Sequence, residues 1–324
     1  MKAEFFTIAI CTYNRATVIE HSIKSVLSQT ASRSNYEILI IDNNCTDNTV
    51  EIVNKYSSMN DNIRLVNEQN QGLSYSRNRA IEEARGEIIV FIDDDAEMCP
   101  DYLNNLKKVF DEEKNIGAAG GPVEVGWLEP VPSWYETGLA RAFNYLYYGS
   151  FRMKLKYPRM IFGTNMAFPL SLLKKMGGFR TGIGSIGEQS LSSGEMKMFH
   201  RIDKNERERL DITGYAESDI EILLQIEKKE GLPILYDPLL KVRHLISPER
   251  LTPEYILTKA LWQGRSQYRL ESHYGIKGGV RNALWCLFES YARIALGKSG
   301  GRLTERFQRA LARGIVKEWL HGEK

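Results

Sequence analysis

Through the first 115 residues, short apolar runs alternate with amphipathic stretches of helical length. Residues 5–10 and 37–41 are rich in Phe and Ile, as suits strands covered on both faces. Between them, Val18, Ile19, Ile23, Val26 and Leu27 recur at helical spacing and predict a helix over about 16–29. A second helix is expected through Val50, Ile52 and Val53, then a short strand at 63–66 and a helix over about 73–84. A strand at 87–92 and a helix near 101–114 complete the series. Repeated βαβ units of this kind predict an α/β fold with a doubly wound, mainly parallel sheet and right-handed crossovers.

The pattern changes further on. A glycine-rich stretch, 177–194, breaks the alternation and reads as a loop. Within it, Gly182-Ile183-Gly184-Ser185-Ile186-Gly187 fits G-x-G-x-x-G, but it opens no helix, so a dinucleotide site is rejected. Beyond His244 the chain turns helical and basic, which sets expected domains of 1–245 and 246–324. Three helices are expected there, the first opened by Thr252-Pro253 as cap and first helical residue. In the last, Leu303, Phe307, Leu311, Ile315 and Trp319 form a stripe flanked by Arg302, Arg306, Arg309, Arg313 and Lys317. Such a helix suits either protein packing or an anionic membrane surface.

Composition bounds the class. The 324 residues are 43% hydrophobic and 26% charged, ordinary for a globular protein. The net charge is only +2, yet from Lys277 to Lys324 there are ten basic against four acidic side chains. No nucleic-acid motif accompanies that basic segment, so a nucleic-acid partner is not expected. Cys11, Cys45, Cys99 and Cys286 show no metal-site or disulfide spacing and read as reduced thiols. Neither a cleavable signal pattern nor a clean membrane span is evident. The expected location is therefore cytoplasmic, with a peripheral membrane position open.

The chemistry concentrates at strand ends. Asp93-Asp94-Asp95 follows the strand at 87–92, where open α/β sheets place ligands. Three adjacent carboxylates repel one another, and a hard cation such as Mg²⁺ or Mn²⁺ would compensate them beside a diphosphate. The bland alternative is an acidic loop leading into the next helix. Cys11-Thr12-Tyr13-Asn14-Arg15 ends the first strand, and Asp42-Asn43-Asn44-Cys45-Thr46-Asp47 ends the second. Helix capping explains Thr46 or Asp47. It does not explain polar clusters at all three strand ends, which together suit a nucleotide: Asp42 can accept a base imide N–H and Tyr13 can cover a base face.

These segments, with Asn70-Gln71-Gly72-Leu73-Ser74-Tyr75-Ser76-Arg77-Asn78, Phe162-Gly163-Thr164-Asn165-Met166-Ala167-Phe168, Gly177-Gly178-Phe179 and Tyr236-Asp237-Pro238 through Arg243-His244, resemble the family 2 glycosyltransferases of the GT-A fold. The likeness runs over about 5–270 in the expected order. It implies a nucleoside-diphosphate sugar donor and an inverting transfer to a hydroxyl of a glycan or lipid-linked acceptor. It also implies a D-x-D metal site at Asp93 and Asp95, completed by His244. Thr12, Tyr13, Arg15, Asp42, Asn70, Arg77 and Asp94 would then face the donor. Asn165 and Glu217 would face the acceptor, and Trp262 and Arg265 would reach it from the helical extension. A UDP-sugar is favoured, although guanine also offers N–H groups to Asp42.

The family's acidic lead-in to a helix occurs twice. Glu217-Ser218-Asp219 precedes the amphipathic run Ile220–Ile226, while Leu191-Ser192-Ser193-Gly194-Glu195 stands about twenty residues earlier. Asp219 is the expected base and Glu195 the alternative, with 196–216 as an insertion. Ser218 and Glu221 also fit a capping box that requires no function. Two rivals remain: a sugar nucleotidyltransferase, which wants a glycine-rich loop after the first strand, and a catalytically silent nucleotide-sugar-binding subunit.

Overall fold

The computed structural model describes residues 4–181, 217–295 and 302–322. The glycine-rich loop from 182 onward, Glu195 and the expected insertion 196–216 lie outside the described residues, as does the side chain of Glu217.

The alternating pattern folds as expected. Strands β1 (Phe6–Thr12), β2 (Tyr36–Asp42), β3 (Ile63–Asn67) and β4 (Ile88–Ile92) alternate with helices α1 (Ile19–Leu27), α2 (Thr49–Ser57) and α3 (Leu73–Glu83). They pair in parallel in the order β3-β2-β1-β4. Central strands covered on both faces must be apolar throughout, and β4 is buried at every residue. β3, at the edge, buries only Ile63. Ile8, Ile10, Ile38, Ile40 and Val90 join one core with Ile19, Ile23 and Val26 of α1. Each such side chain contributes roughly 1.5–3 kcal/mol on burial.

Beyond β4 the sheet becomes mixed. After β5 (Ala96–Met98) and α4 (Tyr102–Glu112) come β6 (Ala118–Gly120), β7 (Val123–Trp127), β8 (Met153–Leu155) and β9 (Asn165–Pro169). Then follow α5 (Leu170–Met176), α6 (Glu217–Gln225), β10 (Ile234–Tyr236) and β11 (Val242–Ile246). The main sheet continues β4-β9-β6-β10-β8, with β9 antiparallel to β4. A separate three-stranded sheet has the order β5-β11-β7.

The chain divides into two compact units. One is drawn from Met1–Gly126, Asn144–Gly182 and Ser218–Leu245, and holds the main sheet. The other combines Trp127–Phe143 with the described part of Ile246–Lys324. In this second unit α7 (Pro253–His273), α8 (Gly279–Ala295) and α9 (Leu303–Gly322) form a helical cluster. Thr252 caps α7 as expected, its hydroxyl accepting from Tyr255 N at 3.2 Å. A Cβ on Gly264 of α7 would lie 1.9 Å from Leu311 O, and one on Gly314 of α9 would lie 2.0 Å from Leu261 O. The two backbones cross too closely for any larger residue. Leu303 and Ile315, from the stripe noted in the sequence, are buried, and Ile315 packs with Ala312 and Ala283 of α8. That stripe is therefore used in packing within the unit. Among the described residues no helix is long and apolar enough to cross a membrane.

Candidate active site

The parallel order puts the carboxyl ends of β2, β1 and β4 side by side, and their loops are stitched together. Asn14, in the left-handed region at φ 53°, reaches from β1 to the β2 loop. Its Oδ1 accepts from Thr46 N at 2.7 Å, and its Nδ2 donates to Thr46 Oγ1 at 3.1 Å. Arg15 N donates to Thr49 Oγ1 at 2.8 Å, and Arg15 Nε lies 3.3 Å from Asp94 Oδ1. Thr12 is buried, whereas Tyr13 is half-buried beside it.

At the end of β2, Asp42 Oδ1 accepts from Cys45 N at 2.8 Å and Oδ2 from Asn67 Nδ2 at 2.9 Å. Buried Asn43, which sequence reasoning passed over, ties down the loop after β3. Its Nδ2 donates to Glu68 O and Asn70 O, and its Oδ1 accepts from Gly72 N at 2.7 Å. Asn70 itself is exposed, and its side chain donates to Glu68 Oε1 at 2.8 Å.

Asp93 and Asp95 leave the end of β4, and the small sheet brings His244 to them. β11 runs antiparallel to β5 with His244 opposite Ala96, and Leu245 N donates to Asp95 O at 2.7 Å. His244 Nε2 lies 3.3 Å from Asp95 Oδ1, and one ligand atom from each of Asp93, Asp95 and His244 falls within 4.8 Å of the others. Thr164, inside a family-like segment but not singled out there, donates through Oγ1 to Asp93 Oδ2 at 2.5 Å. Burial, reinforced by the Asp95 charge, pushes Asp93 up to about 6 although Arg77 opposes it. Burial likewise pushes Asp94 up to about 7 against the pull of Arg15. For both carboxylates, desolvation outweighs the compensation that Arg77 and Arg15 supply. Two carboxylates and an imidazole converging on one point suit a divalent cation such as Mg²⁺ or Mn²⁺.

A second charged pair lies close by. Asp219, in the first turn of α6, is ion-paired through Oδ1 to Arg77 Nη1 of α3. Arg77 also donates to Ser218 Oγ at 3.2 Å, and its guanidinium sits 5.2 Å from the Phe179 ring centre and 5.9 Å from that of Phe91. Arg77, expected along the nucleotide, is only 2% exposed, its guanidinium enclosed by these partners. Burial works against its charge, but Asp219 and then Asp93 raise it, and it stays cationic. Ser218 lies in the first turn of α6, its hydroxyl accepting from Arg77 in a buried polar cluster. Gly163 is required here, because a Cβ at that position would lie 1.8 Å from Asp219 Oδ2.

Asn165, expected at the acceptor, is 1% exposed and its amide is bonded within the frame. Nδ2 donates to Leu240 O at 2.7 Å and Pro122 O at 3.3 Å, while Oδ1 accepts from Tyr102 Oη at 2.6 Å. Trp262 and Arg265 belong to the second unit, where Arg265 stacks on Trp262 at 4.6 Å and donates to Glu318 Oε2 at 2.6 Å.

The comparisons with known proteins agree with the fold. Residues 7–177 match a sequence model of glycosyl transferase family 2. The glucosyl-dolichyl phosphate glucuronosyltransferase of Haloferax volcanii is 22% identical over 287 residues, 86% of this chain and 80% of that protein. The GalNAc(5)-diNAcBac-PP-undecaprenol beta-1,3-glucosyltransferase of Campylobacter jejuni is 31% identical over 108 residues, 33% of this chain and 34% of its own length. A mannosyltransferase of Pyrobaculum calidifontis, solved with GDP-Man and Mn²⁺, shares the fold with a TM-score of 0.61 at 16% identity, over 99% of this chain and 88% of that one. With more than half of its length inside the family match, the chain belongs to glycosyl transferase family 2 and is a glycosyltransferase of the GT-A fold.

Proposed function

We propose that the protein transfers a sugar from a nucleoside-diphosphate donor, with a UDP-sugar favoured, to a hydroxyl of a glycan or lipid-linked acceptor, inverting the anomeric centre. The observation that carries this reading is the meeting of Asp93 and Asp95 with His244, which are far apart in sequence. Asp93, Asp95 and His244 would hold a divalent cation, which when bound supplies Lewis-acid charge to the departing diphosphate.

The chain's own groups do the rest. Asp42, at the end of β2, receives a base N–H, while Tyr13 lies over the base and Arg15 and Asp94 border the diphosphate. Asp219 takes the proton of the acceptor hydroxyl as the new bond from that oxygen to the sugar C1 forms. The bond from C1 to the diphosphate oxygen breaks, and its electron pair leaves with the nucleotide. Arg77, ion-paired to Asp219, holds its carboxylate in place before the reaction. A lipid-linked acceptor is favoured because two relatives are named for transfers involving dolichyl phosphate or diphosphoundecaprenol sugars.

The test is calorimetry with UDP- and GDP-sugars, each with Mn²⁺ or in excess chelator. Metal-dependent binding of one nucleotide class, lost in Asp95→Asn while the fold persists, supports the reading. Equal binding and turnover in chelator would remove the cation from it.

A further inference from the structure

The helical unit carries an apolar surface that its own packing does not use. Helix α8 buries Ala283, with Val280, Cys286 and Leu287 packed around it, against Tyr268, Ala312, Ile315 and Val316. Its other side presents Leu284, Trp285, Phe288 and Tyr291, which are 44%, 65%, 67% and 46% exposed. These positions recur at three- and four-residue steps, so they form one face. The Trp285 and Phe288 rings lie 5.9 Å apart, so the patch is contiguous. Contiguous apolar surface of this kind marks an interaction site more often than an accident of composition.

Charge selects the partner. Arg281 is exposed one helical repeat before Phe288, on the same face. At the far end, exposed Arg313 of α9 bonds the Tyr291 hydroxyl and holds its guanidinium 5.7 Å from the ring centre. Lys277, Arg302, Arg306 and Lys317 are also exposed in the same unit. A second copy docking here would oppose one basic segment to another. An anionic surface meets the same cations favourably, and Trp and Tyr suit a boundary with one apolar and one wet side.

We infer that the Leu284–Trp285–Phe288–Tyr291 face of α8, framed by Arg281 and Arg313, docks the protein on an anionic lipid bilayer. The stripe of α9 noted in the sequence serves a different purpose, holding the helical unit together. This goes beyond the transfer reaction, and its test needs no turnover.

The full-length protein is sedimented with vesicles of phosphatidylcholine alone and of phosphatidylcholine with phosphatidylglycerol. The parent should partition onto the anionic vesicles and be released as salt rises. Trp285→Ser/Phe288→Ser should retain the fold by circular dichroism and lose vesicle binding by about tenfold or more. Arg281→Glu/Arg313→Glu should lose about as much, on the anionic vesicles alone. Unchanged partition in the Trp285/Phe288 variant would overturn the proposal. So would a parent that ignores vesicles but forms a concentration-dependent dimer that the same substitutions dissolve, which would make the occupant a second copy.

Discussion

Two acidic sites lie close together in the sheet unit, and they handle buried charge in opposite ways. At the end of β4, Asp93, Asp94 and Asp95 crowd together, with His244 against Asp95 and Arg15 against Asp94. There, burial and mutual repulsion push Asp93 and Asp94 upward. At the start of α6, Asp219 is ion-paired directly to the Arg77 guanidinium, which is further enclosed by two aromatic rings. In the proposed reaction a cation completes the first arrangement, whereas the second already holds Asp219, the proposed base, against its partner.

The largest expected effect comes from removing the incomplete site's central ligand. Asp95→Asn should nearly abolish transfer and remove the metal dependence of donor binding, while the fold survives because a repulsive charge is lost. Normal turnover in this variant would end the contrast between the two sites.

Asp219→Asn comes next, with a rate loss of about a hundredfold or more, the usual scale for a general base. Donor affinity should be nearly unchanged, since the base acts on the acceptor. Glu195→Gln is the control, and a milder loss is expected there. A collapse in Glu195→Gln beside near-normal turnover in Asp219→Asn would move the base to Glu195.

Arg77→Met sharpens the comparison from the side of stability. It leaves Asp219 buried without its partner, which costs about 3–5 kcal/mol where a buried ion pair is broken on one side. Thermal or urea unfolding checks this. Arg77→Met/Asp219→Asn should recover much of the loss without recovering activity, and no recovery would mean that Arg77 acts mainly through its ring contacts.

Much of this was legible in the chain, and unevenly so. The runs ending in Thr12, Asp42 and Ile92 are long and apolar, so their period and the polar residues after them could be read directly. Strands of three residues, such as β5 and β10, are too short to show any period. His244 could be placed only by resemblance, because its position depends on the pairing of β11 with β5. Asn165 drew an acceptor role from its family-like segment, and its hydrogen bonds to two carbonyls and a tyrosine hydroxyl distant in sequence had no local sign. Arg77 was expected along the nucleotide, but its burial could not be read, since nothing local signals that Phe179 and Asp219 enclose it. Nothing local in α8 signals which of its apolar residues are covered, and only the packing separates Ala283 from Trp285 and Phe288.

The smallest effect expected is a shift in stability with pH, and it separates the two sites without any substrate. Asp93 and Asp94 move up from 3.8 to about 6 and about 7 in the fold, so the metal-free native state holds protons that the unfolded chain releases. A group raised in this way favours the fold below its unfolded value, and that contribution disappears as pH rises through the folded value. Metal-free protein should therefore gain stability between pH 8 and pH 5, and Asp93→Asn should flatten that gain. A divalent cation takes the place of the protons, so Mn²⁺ should raise the melting temperature more at pH 8 than at pH 5. Differential scanning calorimetry of the parent and Asp93→Asn, each with and without Mn²⁺, measures both slopes. Equal stabilisation by Mn²⁺ at the two pH values, with no flattening in Asp93→Asn, would mean that the aspartate cluster is already compensated and that the two sites do not differ.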